Sequence, residues 1–462
     1  MTTAVNTPPA QALTVSRQLA RAIVDCHPER DPRALVTARR LLMDVAGICL
    51  AARHEPYVKA ALAAVEQGGV CTVIGSPARM GVEAAAFVNG IAAHGEDFDD
   101  TYEGGPVHAG VVIVPALLAA AERHALDGAA LLRGIAVGVE VMCRLCAVAP
   151  MQVHKAGFHP TAIFGVVGAV AGIGAALRLS EDELVNAFGL SGSMAGGIIE
   201  YLADGSWTKR LHPGWAAQSG YRAVRLAQAG FVGPATVFEG THGLFHGFAN
   251  TTSGDFPAML KDFGKHWLWP AIAFKPYACG TMAHPYIDCA RALRRQGVDP
   301  AAIERIECET AEGIVHRLWE PLAQKASPPN AYAAKFSIPY AIAAGFVLDD
   351  AGLEAYTETM VQRADLRDLA ARVHYVVDLQ NPYPRQFTGH LRVTLKDGSM
   401  IEQRQDHFKG GADHPLSDSD LTHKFWANLR YGGVSQQRGE AIQAWLDDLL
   451  TGGVVDLQLL RV

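Results

Sequence analysis

Hydrophobic residues recur at helical spacing through most of the first 230 residues of the chain. Between residues 33 and 52, leucine, valine and isoleucine return every three or four positions, which predicts a helix with one buried face. Ser180 and Glu183 have the spacing of a capping box and predict the start of another helix. The helices that the pattern predicts cover 33–52, 80–96, 111–125, 129–148, 161–177, 184–190 and 214–229.

The pattern changes after about residue 265. Residues 303–310 alternate like a half-buried strand, and strands predicted at 389–395 and 400–404 flank a hairpin turn at 396–399. The remaining predicted elements are a strand at 374–379 and helices at 285–296, 331–348, 417–429 and 436–450. Together they predict a mainly α protein. A large all-helical domain would comprise 1–267 and 405–462, with a smaller, lid-like α+β domain inserted at 268–404.

Composition narrows the possible partners. The 462-residue chain has a net charge of −7 and no basic block, so we expect no nucleic acid partner. The N-terminus has no basic segment followed by an apolar run, so we expect no secretory signal. The most apolar segment, 161–177, is short for a membrane span and rich in glycine and alanine, so we expect a buried helix and no membrane association. The eight cysteines have no regular spacing, which favours a reducing cytoplasm.

Four acidic residues lie within five positions in the segment from His94 to Thr101. Asp97 and Thr101 are four apart and would share one face of a helix. If the segment is buried, repulsion among the carboxylates raises the pKa of at least one, and such a group can transfer protons near neutral pH. The alternatives are an exposed acidic helix end and a cation site. His108 follows in a loop just before an apolar helix.

Two further segments place histidines beside helix starts. His159 precedes a proline, which holds it extended at the entrance to a strongly apolar helix; the alternative is a structural histidine. Lys209, Arg210 and His212 directly precede the helix predicted at 214–229. Cations next to the free N–H groups of a helix start can bind a carboxylate, and the alternative is an ordinary solvated loop.

The second half of the chain adds two more candidates. Lys275 and His284 flank a segment containing glycine and proline before a predicted helix. Pro339 lies inside another predicted helix, where a kink would turn Tyr340 or Ser337 inward.

Several classes of chemistry lack support in the sequence. Cys143 and Cys146 form an isolated CxxC pair in a predicted helix, which is a weak zinc signal. An iron–sulfur cluster would need a third thiolate, such as Cys279, to converge with them. The sequence has no Walker A loop, no Rossmann glycine pattern and no G-x-S-x-G elbow. Nucleotide, flavin and serine-hydrolase chemistry are therefore not indicated.

At these same segments the chain resembles the 2-methylcitrate dehydratase (MmgE/PrpD) family. The segment 94–101 resembles the family motif AHxxDFDDT, with a histidine following it, and 157–161 resembles GFHPT. The segment 208–217 is similar to KxLHxGxAA, and 230–243 is similar to the run GFTGP…EG..G. Farther along, 275–285 resembles KPYPxC…HP and 334–340 resembles AKFSIPY. The similarity runs in order over most of the chain.

The resemblance implies a helical domain with a smaller α+β domain, a site in the cleft between them, a homodimer, and no metal or organic cofactor. Family activities include 2-methylcitrate dehydration, cis-aconitate decarboxylation and iminodisuccinate epimerisation, which all pass through a carbanion-like centre beside a carboxylate. We expect a cofactor-independent lyase for a small di- or tricarboxylate, with a hydro-lyase as the leading hypothesis. An epimerase and a decarboxylase are the alternatives within the family. A non-catalytic dicarboxylate-binding protein and a metal-dependent enzyme are the alternatives from other classes.

The resemblance also implies roles for individual residues. Lys209 would stabilise the negative charge that develops on the substrate, and His108 or His159 would move the proton. Asp97 would orient a histidine, and Tyr340 would close the site from the other domain. The residues that we expect to contact substrate are Thr101, His94, Arg210, His212, Lys275 and His284.

Overall fold

The computed structural model describes residues 13–462, and α-helices dominate it, which confirms the predicted mainly α class. In chain order the helices are α1 (Val15–Asp25), α2 (Pro32–Ala52), α3 (Pro56–Ala63), α4 (Val82–His94), α5 (Gly110–His124), α6 (Gly128–Val148), α7 (Gln152–Lys155), α8 (Pro160–Leu177), α9 (Glu181–Met194), α10 (Tyr201–Asp204), α11 (Thr208–Gln228), α12 (Leu244–Ala249), α13 (Phe256–Leu260), α14 (His284–Arg295), α15 (Glu312–Leu318), α16 (Leu322–Ala326), α17 (Ala331–Ala334), α18 (Ile338–Leu348), α19 (Ala364–Ala370), α20 (Asp418–Tyr431) and α21 (Gln436–Asp448). The strands are β1 (Gln67–Thr72), β2 (Arg79–Met80), β3 (Thr101–Tyr102), β4 (Ile272–Ala273), β5 (Ile303–Thr310), β6 (Val373–Val377), β7 (Gly389–Leu395) and β8 (Met400–Gln405).

Side-chain caps fix several helix starts where the sequence predicts them. The carboxylate of Asp31 accepts a hydrogen bond at the start of α2, and that of Asp127 does the same for α6. Ser180 and Glu183 form the predicted reciprocal capping box before α9. Helix α8 is long and apolar enough to cross a membrane by length and composition alone, but it is buried between α6 and α11, as its sequence predicts.

Helix α11 begins earlier than predicted, which corrects the expectation of a loop before residue 214. It starts at Thr208 and contains Pro213, so Lys209 lies in its first turn. A proline inside a helix removes one backbone hydrogen bond. Close packing against α4 offsets this loss, because Gly90 and Gly214 let the two backbones meet. A Cβ added at Gly90 would lie 2.7 Å from the Gly214 Cα.

The single helix predicted over 331–348 is in fact two helices, α17 and α18. The Ser337 side chain accepts a hydrogen bond from Tyr340 N and caps α18. Pro339 lies in the first turn of α18, where a backbone N–H has no helical partner to lose. The proline therefore produces no kink, and the kink hypothesis for Tyr340 is wrong.

Four of the eight strands in the described residues form one small sheet in the second half of the chain. Its order is β6-β5-β7-β8, with β5 and β6 parallel and the other neighbours antiparallel. The predicted β7–β8 hairpin is present, with Gly398 in the left-handed conformation of its turn. Strand β3 pairs with β4 and links the segment after α4 to the start of the second half.

Within residues 13–462 the buried apolar side chains form two cores. The larger core takes its residues from 15–274 and 416–460, and the smaller core takes nearly all of its residues from 277–393. Phe98 is an exception, because it lies early in the chain and packs in the smaller core. The segment from His94 to Thr101 therefore lies where the two cores meet. The division into domains at 268 and 404 stays a prediction.

Candidate functional site

The acidic segment after α4 is buried. His94, Glu96, Asp97, Asp99 and Asp100 all have little or no exposed surface. The alternative of an exposed acidic helix end is therefore wrong for this segment. Buried carboxylates need compensating charge or hydrogen bonds, so the surrounding residues define what the segment can do.

Lysines from distant parts of the chain compensate these carboxylates. Lys209 Nζ lies 2.5 Å from Asp97 Oδ1, and Lys275 Nζ lies 3.3 Å from the same oxygen. Lys335 Nζ lies 2.9 Å from Glu96 Oε2. Burial by itself raises the pKa of Asp97, but the ammonium groups of Lys209 and Lys275 lower it by more, so its pKa lies below the usual range. Asp97 is therefore a fixed negative charge and is not the acid of this segment whose pKa is raised.

Backbone carbonyls of the same segment also bind lysines. Each of three consecutive carbonyls accepts a hydrogen bond from a different ammonium group: Lys335 binds Glu96 O at 2.7 Å, Lys275 binds Asp97 O at 2.9 Å, and Lys424 binds Phe98 O at 2.6 Å. Lys424 also lies 2.6 Å from Asp44 Oδ1 on α2. Asp97 has a positive φ of 54°, a left-handed conformation that is uncommon outside glycine. These contacts hold the segment in one conformation.

Four imidazole rings gather beside this segment. The ring centroids of His94 and His108 are 4.8 Å apart, and those of His94 and His159 are 5.8 Å apart. His212 joins from α11, with its Nδ1 3.0 Å from His159 Nδ1. The rings come from the end of α4, the loop before α5, the start of α8 and the first turns of α11. The predicted convergence of these histidines is therefore present in the structure.

Asp99 orients two of these rings. Its Oδ2 lies 2.8 Å from His94 Nδ1 and 3.1 Å from His108 Nδ1. His108 Nδ1 also lies 2.7 Å from Asp100 O, so that nitrogen has two acceptors, and the backbone N–H of His108 donates to Thr161 Oγ1 at 3.1 Å. With Nδ1 as the donor, Nε2 of His94 and of His108 is left with a free lone pair.

Burial keeps most of the imidazoles neutral near pH 7. It lowers the pKa of His94 to about 4 and that of His212 to about 4. It also lowers the pKa of His159 well below its usual value, and the nearby His94 lowers it further. Lys209 has the opposite behaviour: burial alone lowers its pKa, but Asp97 raises it by more, and the ammonium stays charged. The site thus combines a fixed cation with neutral imidazoles.

Asp100 is an acid of this segment with a raised pKa, as the sequence predicts for at least one of the four. Its Oδ2 accepts hydrogen bonds from Ala109 N at 3.1 Å and Gly110 N at 3.0 Å, at the start of α5. Burial raises the pKa of Asp100 to about 8, and repulsion from Asp99 adds to the effect. Asp100 is therefore the carboxyl that titrates near neutral pH, although its side chain faces the helix start.

The open side of the site lies at His108 and Lys209. Each of these side chains is 12% exposed, whereas the His94 and Asp99 side chains have no exposed surface. Lys209 Nζ is 5.9 Å from the centre of the Phe336 ring, which belongs to the second half of the chain. A small molecule entering here would meet the ammonium and an imidazole together.

Arg210 borders the site with its guanidinium between two aromatic rings. It lies 4.3 Å from the centre of the Tyr57 ring and 4.6 Å from that of Tyr332. Its Nε is buried and has no hydrogen-bond partner among the described residues. A cation held in this way adds positive potential close to Glu96 and Lys209.

Two predicted site residues lie elsewhere. The Tyr340 hydroxyl donates to Ala355 O at 2.7 Å, and its ring packs against Tyr356 inside the smaller core. His284 is buried at the start of α14, with Nε2 3.2 Å from Cys279 O. The capped start of α18 and the packing of α14 turn these side chains into the smaller core. Neither side chain contacts the imidazole cluster in this structure, and the roles of Tyr340 in closing the site and of His284 in binding substrate stay predictions.

The predicted residues Thr101 and Lys275 lie near the site. Two of the residues around it, Asp99 and Lys424, were not predicted from the sequence. Thr101 is half-buried and starts β3, while Lys275 binds Asp97 as described above. Asp99 lies inside a segment that the motif marked, but its role as a bridge between two rings has no local signature. Lys424 has none either, since it is one lysine in an amphipathic helix.

The imidazoles are also the described residues best placed to hold a metal ion. One ring nitrogen from each of His94, His108 and His159 lies within 4.8 Å of the other two. Borderline transition metals prefer such nitrogen ligands.

Comparison with known proteins places the chain in a family. Residues 17–256 match the model of the MmgE/PrpD N-terminal domain, and residues 277–448 match that of the MmgE/PrpD C-terminal domain. The chain is 27% identical over 454 residues to the cis-aconitate decarboxylase-like protein oryM of Aspergillus oryzae, covering 93% of each chain. It is 31% identical over 375 residues to the cis-aconitate decarboxylase of Mus musculus, covering 77% of this chain and 74% of that one. It is also 31% identical over 369 residues to the cis-aconitate decarboxylase of Homo sapiens, covering 77% and 75%. The chain therefore belongs to the MmgE/PrpD family of enzymes.

Proposed function

We propose that the protein is a cofactor-independent lyase that decarboxylates a small unsaturated tricarboxylate, with cis-aconitate as the first candidate. The observation that supports this most directly is the charged Lys209 ammonium beside the imidazoles on the open side of the site. The names of the relatives favour decarboxylation over the hydro-lyase that the sequence analysis puts first.

The chemistry explains why a fixed cation matters. Decarboxylation breaks the bond between a carboxylate carbon and its neighbour, releases CO₂, and leaves an electron pair on the remaining fragment. In an unsaturated tricarboxylate that pair is delocalised through the double bond towards another carboxylate. Lys209 would stabilise this growing negative charge, because it is partly desolvated and already held in place by Asp97. Arg210 would hold a second carboxylate at the border of the site.

The imidazoles would complete the reaction by delivering a proton to the carbanion. His108 is the best candidate, because its partly exposed ring can take up a proton from water at Nε2 and pass it to carbon, while Asp99 and the Asp100 carbonyl fix its orientation. His159 and His212 share a short contact that would return a proton to the cluster. The net change is the loss of CO₂ and the gain of one proton at carbon.

The test separates this activity from the alternatives. Purified protein, in buffer with and without a chelator, is incubated with cis-aconitate, citrate, 2-methylcitrate and iminodisuccinate. Released CO₂ and the products are measured, together with deuterium incorporation from heavy water. We expect CO₂ and one deuterium per product from cis-aconitate, with activity surviving the chelator. Loss of water from 2-methylcitrate would favour the hydro-lyase, and exchange without CO₂ release would favour an epimerase. Binding without turnover would leave a dicarboxylate-binding protein.

We also propose that the chain forms a homodimer. Trp207 directly precedes α11, and Leu211 and Trp215 follow it at four-residue spacing on the helix; all three are exposed, with Ile198 and Leu202 exposed close by in the chain. Monomeric proteins rarely leave such an apolar row uncovered. Light scattering after gel filtration should give twice the chain mass, and Leu211→Lys should give the mass of one chain. An unchanged mass in that variant would exclude this face.

We propose a cytoplasmic location. All eight cysteines are free and buried in the structure, which is compatible with a reducing compartment. Fractionation of cells that express the full chain, followed by immunodetection, tests this.

A further inference from the structure

We propose that His94, His108 and His159 form an inhibitory site for a borderline divalent transition metal ion, of which Zn²⁺ is the type. The inference rests on the proposed function in one respect only, since the ion would occupy the same imidazoles that we assign to proton transfer. The binding itself can be measured without any activity.

The geometry points to Nε2 as the ligand atom of each ring. His94 Nδ1 is 2.8 Å from Asp99 Oδ2, His108 Nδ1 is 2.7 Å from Asp100 O, and His159 Nδ1 is 3.0 Å from His212 Nδ1. Each Nδ1 therefore has a partner, and the tautomer with the proton on Nδ1 leaves the Nε2 lone pair free. Metal-binding histidines usually have their other ring nitrogen engaged in this way.

A second observation points independently to a ligand. His94 Nε2 is completely buried and has no hydrogen-bond partner among the described residues. An imidazole nitrogen of this kind costs free energy unless something binds it. A metal ion held by the three rings would provide the missing partner.

The Asp99 carboxylate favours a cation at the rings. Asp99 contacts two of the three imidazoles, as in the carboxylate–histidine–metal arrangements of many zinc sites. The ammonium of Lys209 opposes a cation at the rings, since its charge adds to burial in lowering the pKa values of His94 and His159, but Asp97 lies 2.5 Å from it and offsets part of that charge. Because the three imidazoles are aromatic nitrogen donors, Zn²⁺ suits them and Mg²⁺ does not.

The rings must move slightly to bind an ion. One nitrogen of each lies within 4.8 Å of the others. Zn–N bonds of about 2.0–2.1 Å in tetrahedral geometry bring ligand nitrogens to roughly 3.4 Å of one another. His108 can make most of this movement, because its ring is partly exposed. The fourth position then opens towards Lys209 and solvent, where a water molecule can bind.

Binding would inhibit the enzyme because the Nε2 lone pair that binds the metal ion is the one needed for proton transfer. A metal bound to Nε2 prevents that nitrogen from accepting or donating a proton. It also fills the space that a substrate carboxylate would enter beside Lys209. We therefore expect inhibition by Zn²⁺ that is competitive with substrate, and none by Mg²⁺.

The experiment uses Co²⁺ as a spectroscopic probe on the full-length protein after treatment with a chelator. Wild type should bind one Co²⁺ per chain with the intense visible absorption of a tetrahedral site, and Zn²⁺ should displace it. His108→Ala is the main variant, because its side chain is the most exposed of the three and its loss is the least disruptive to folding. It should abolish the band. Asp99→Asn should weaken binding by about 10–100-fold.

A matched control addresses adventitious binding. His242 and His246 form an exposed histidine pair on and just before α12, with ring centroids 6.1 Å apart, outside the site. The double variant His242→Ala/His246→Ala should keep the Co²⁺ band and the basal activity. A band that persists in His108→Ala, or that disappears in the double control, overturns the proposal. A weak octahedral spectrum in wild type overturns it as well.

The two proposals fail in different ways. A protein that shows the tetrahedral band but turns over none of the carboxylates keeps the metal site and loses the proposed function. An active decarboxylase without the band, and without inhibition by Zn²⁺, keeps the function and loses the metal site.

Discussion

Replacing Lys209 by alanine should lower the catalytic rate while leaving the stability of the fold nearly unchanged. Lys209 and Lys275 both contact Asp97, but they differ in exposure. The Lys209 side chain is 12% exposed on the open side, whereas that of Lys275 is 2% exposed. In Lys209→Ala, Asp97 keeps Lys275 at 3.3 Å from Oδ1 and at 2.9 Å from its carbonyl oxygen. The carboxylate therefore remains paired, and the fold should survive.

The expected catalytic loss follows from the position of the ammonium. A single donor aimed at developing negative charge is worth on the order of 10²–10³ in kcat, or about 2.7–4 kcal/mol of barrier. We expect Lys209→Ala to lose about that much, with little change in melting temperature. Lys275→Ala is the matched control. Lys209 still pairs the Asp97 carboxylate in this variant, but the buried Asp97 carbonyl loses its donor, so we expect a loss of stability of about 1–3 kcal/mol.

The assay is the initial rate of CO₂ release from cis-aconitate, measured beside thermal unfolding of the wild type and both variants. Circular dichroism confirms that each variant is folded at the assay temperature. A Lys209→Ala variant with near-normal turnover would refute the role of this cation. Equal stability losses in the two variants would refute the distinction that we draw from exposure.

Three further predictions test the surroundings of the site. Folding raises the pKa of Asp100 to about 8 from 3.8, so the wild type loses stability as pH rises between these values. Asp100→Asn cannot titrate, so its unfolding free energy relative to the wild type should increase by about 1.4 kcal/mol per pH unit in urea unfolding from pH 5 to 8. A difference that does not change with pH would contradict the raised pKa. Gly90→Ala places a Cβ 2.7 Å from the Gly214 backbone and should lower the unfolding free energy by about 1–3 kcal/mol. An unchanged melting temperature would show that α4 and α11 can move apart without cost. Lys335→Met leaves the Glu96 carboxylate buried without its nearest cation and should lower the unfolding free energy by about 3–5 kcal/mol. The double variant Lys335→Met/Glu96→Gln should recover part of that loss. No recovery would mean that the unpaired Glu96 carboxylate does not cause it.

Local sequence patterns predicted much of the fold because helices and hairpins depend on nearby residues. The start of α2, the capping box of α9 and the β7–β8 turn all follow from residues within a few positions of one another. The errors occurred where distant packing or a cap decided the outcome. Contact with α4 extends α11 through Pro213, and Ser337 divides one predicted helix into two.

The site was predictable to the extent that motifs mark its residues. Asp97, His108, His159 and Lys209 do converge in the structure, although they are far apart in the chain. The direction of a buried side chain depends on its own helix, which is why Tyr340 points into the smaller core instead. The pairing of each buried charge could not be deduced, because no local pattern identifies which lysine meets which acid.

The three lysine-bound carbonyls of the segment after α4 have a consequence for dividing this protein. Their donors, Lys275, Lys335 and Lys424, all lie beyond residue 256, where the match to the N-terminal family domain stops. A fragment ending there would retain every histidine of the cluster but none of these three donors. Activity should therefore be absent from either half expressed alone, and should return only if separately made halves reassemble.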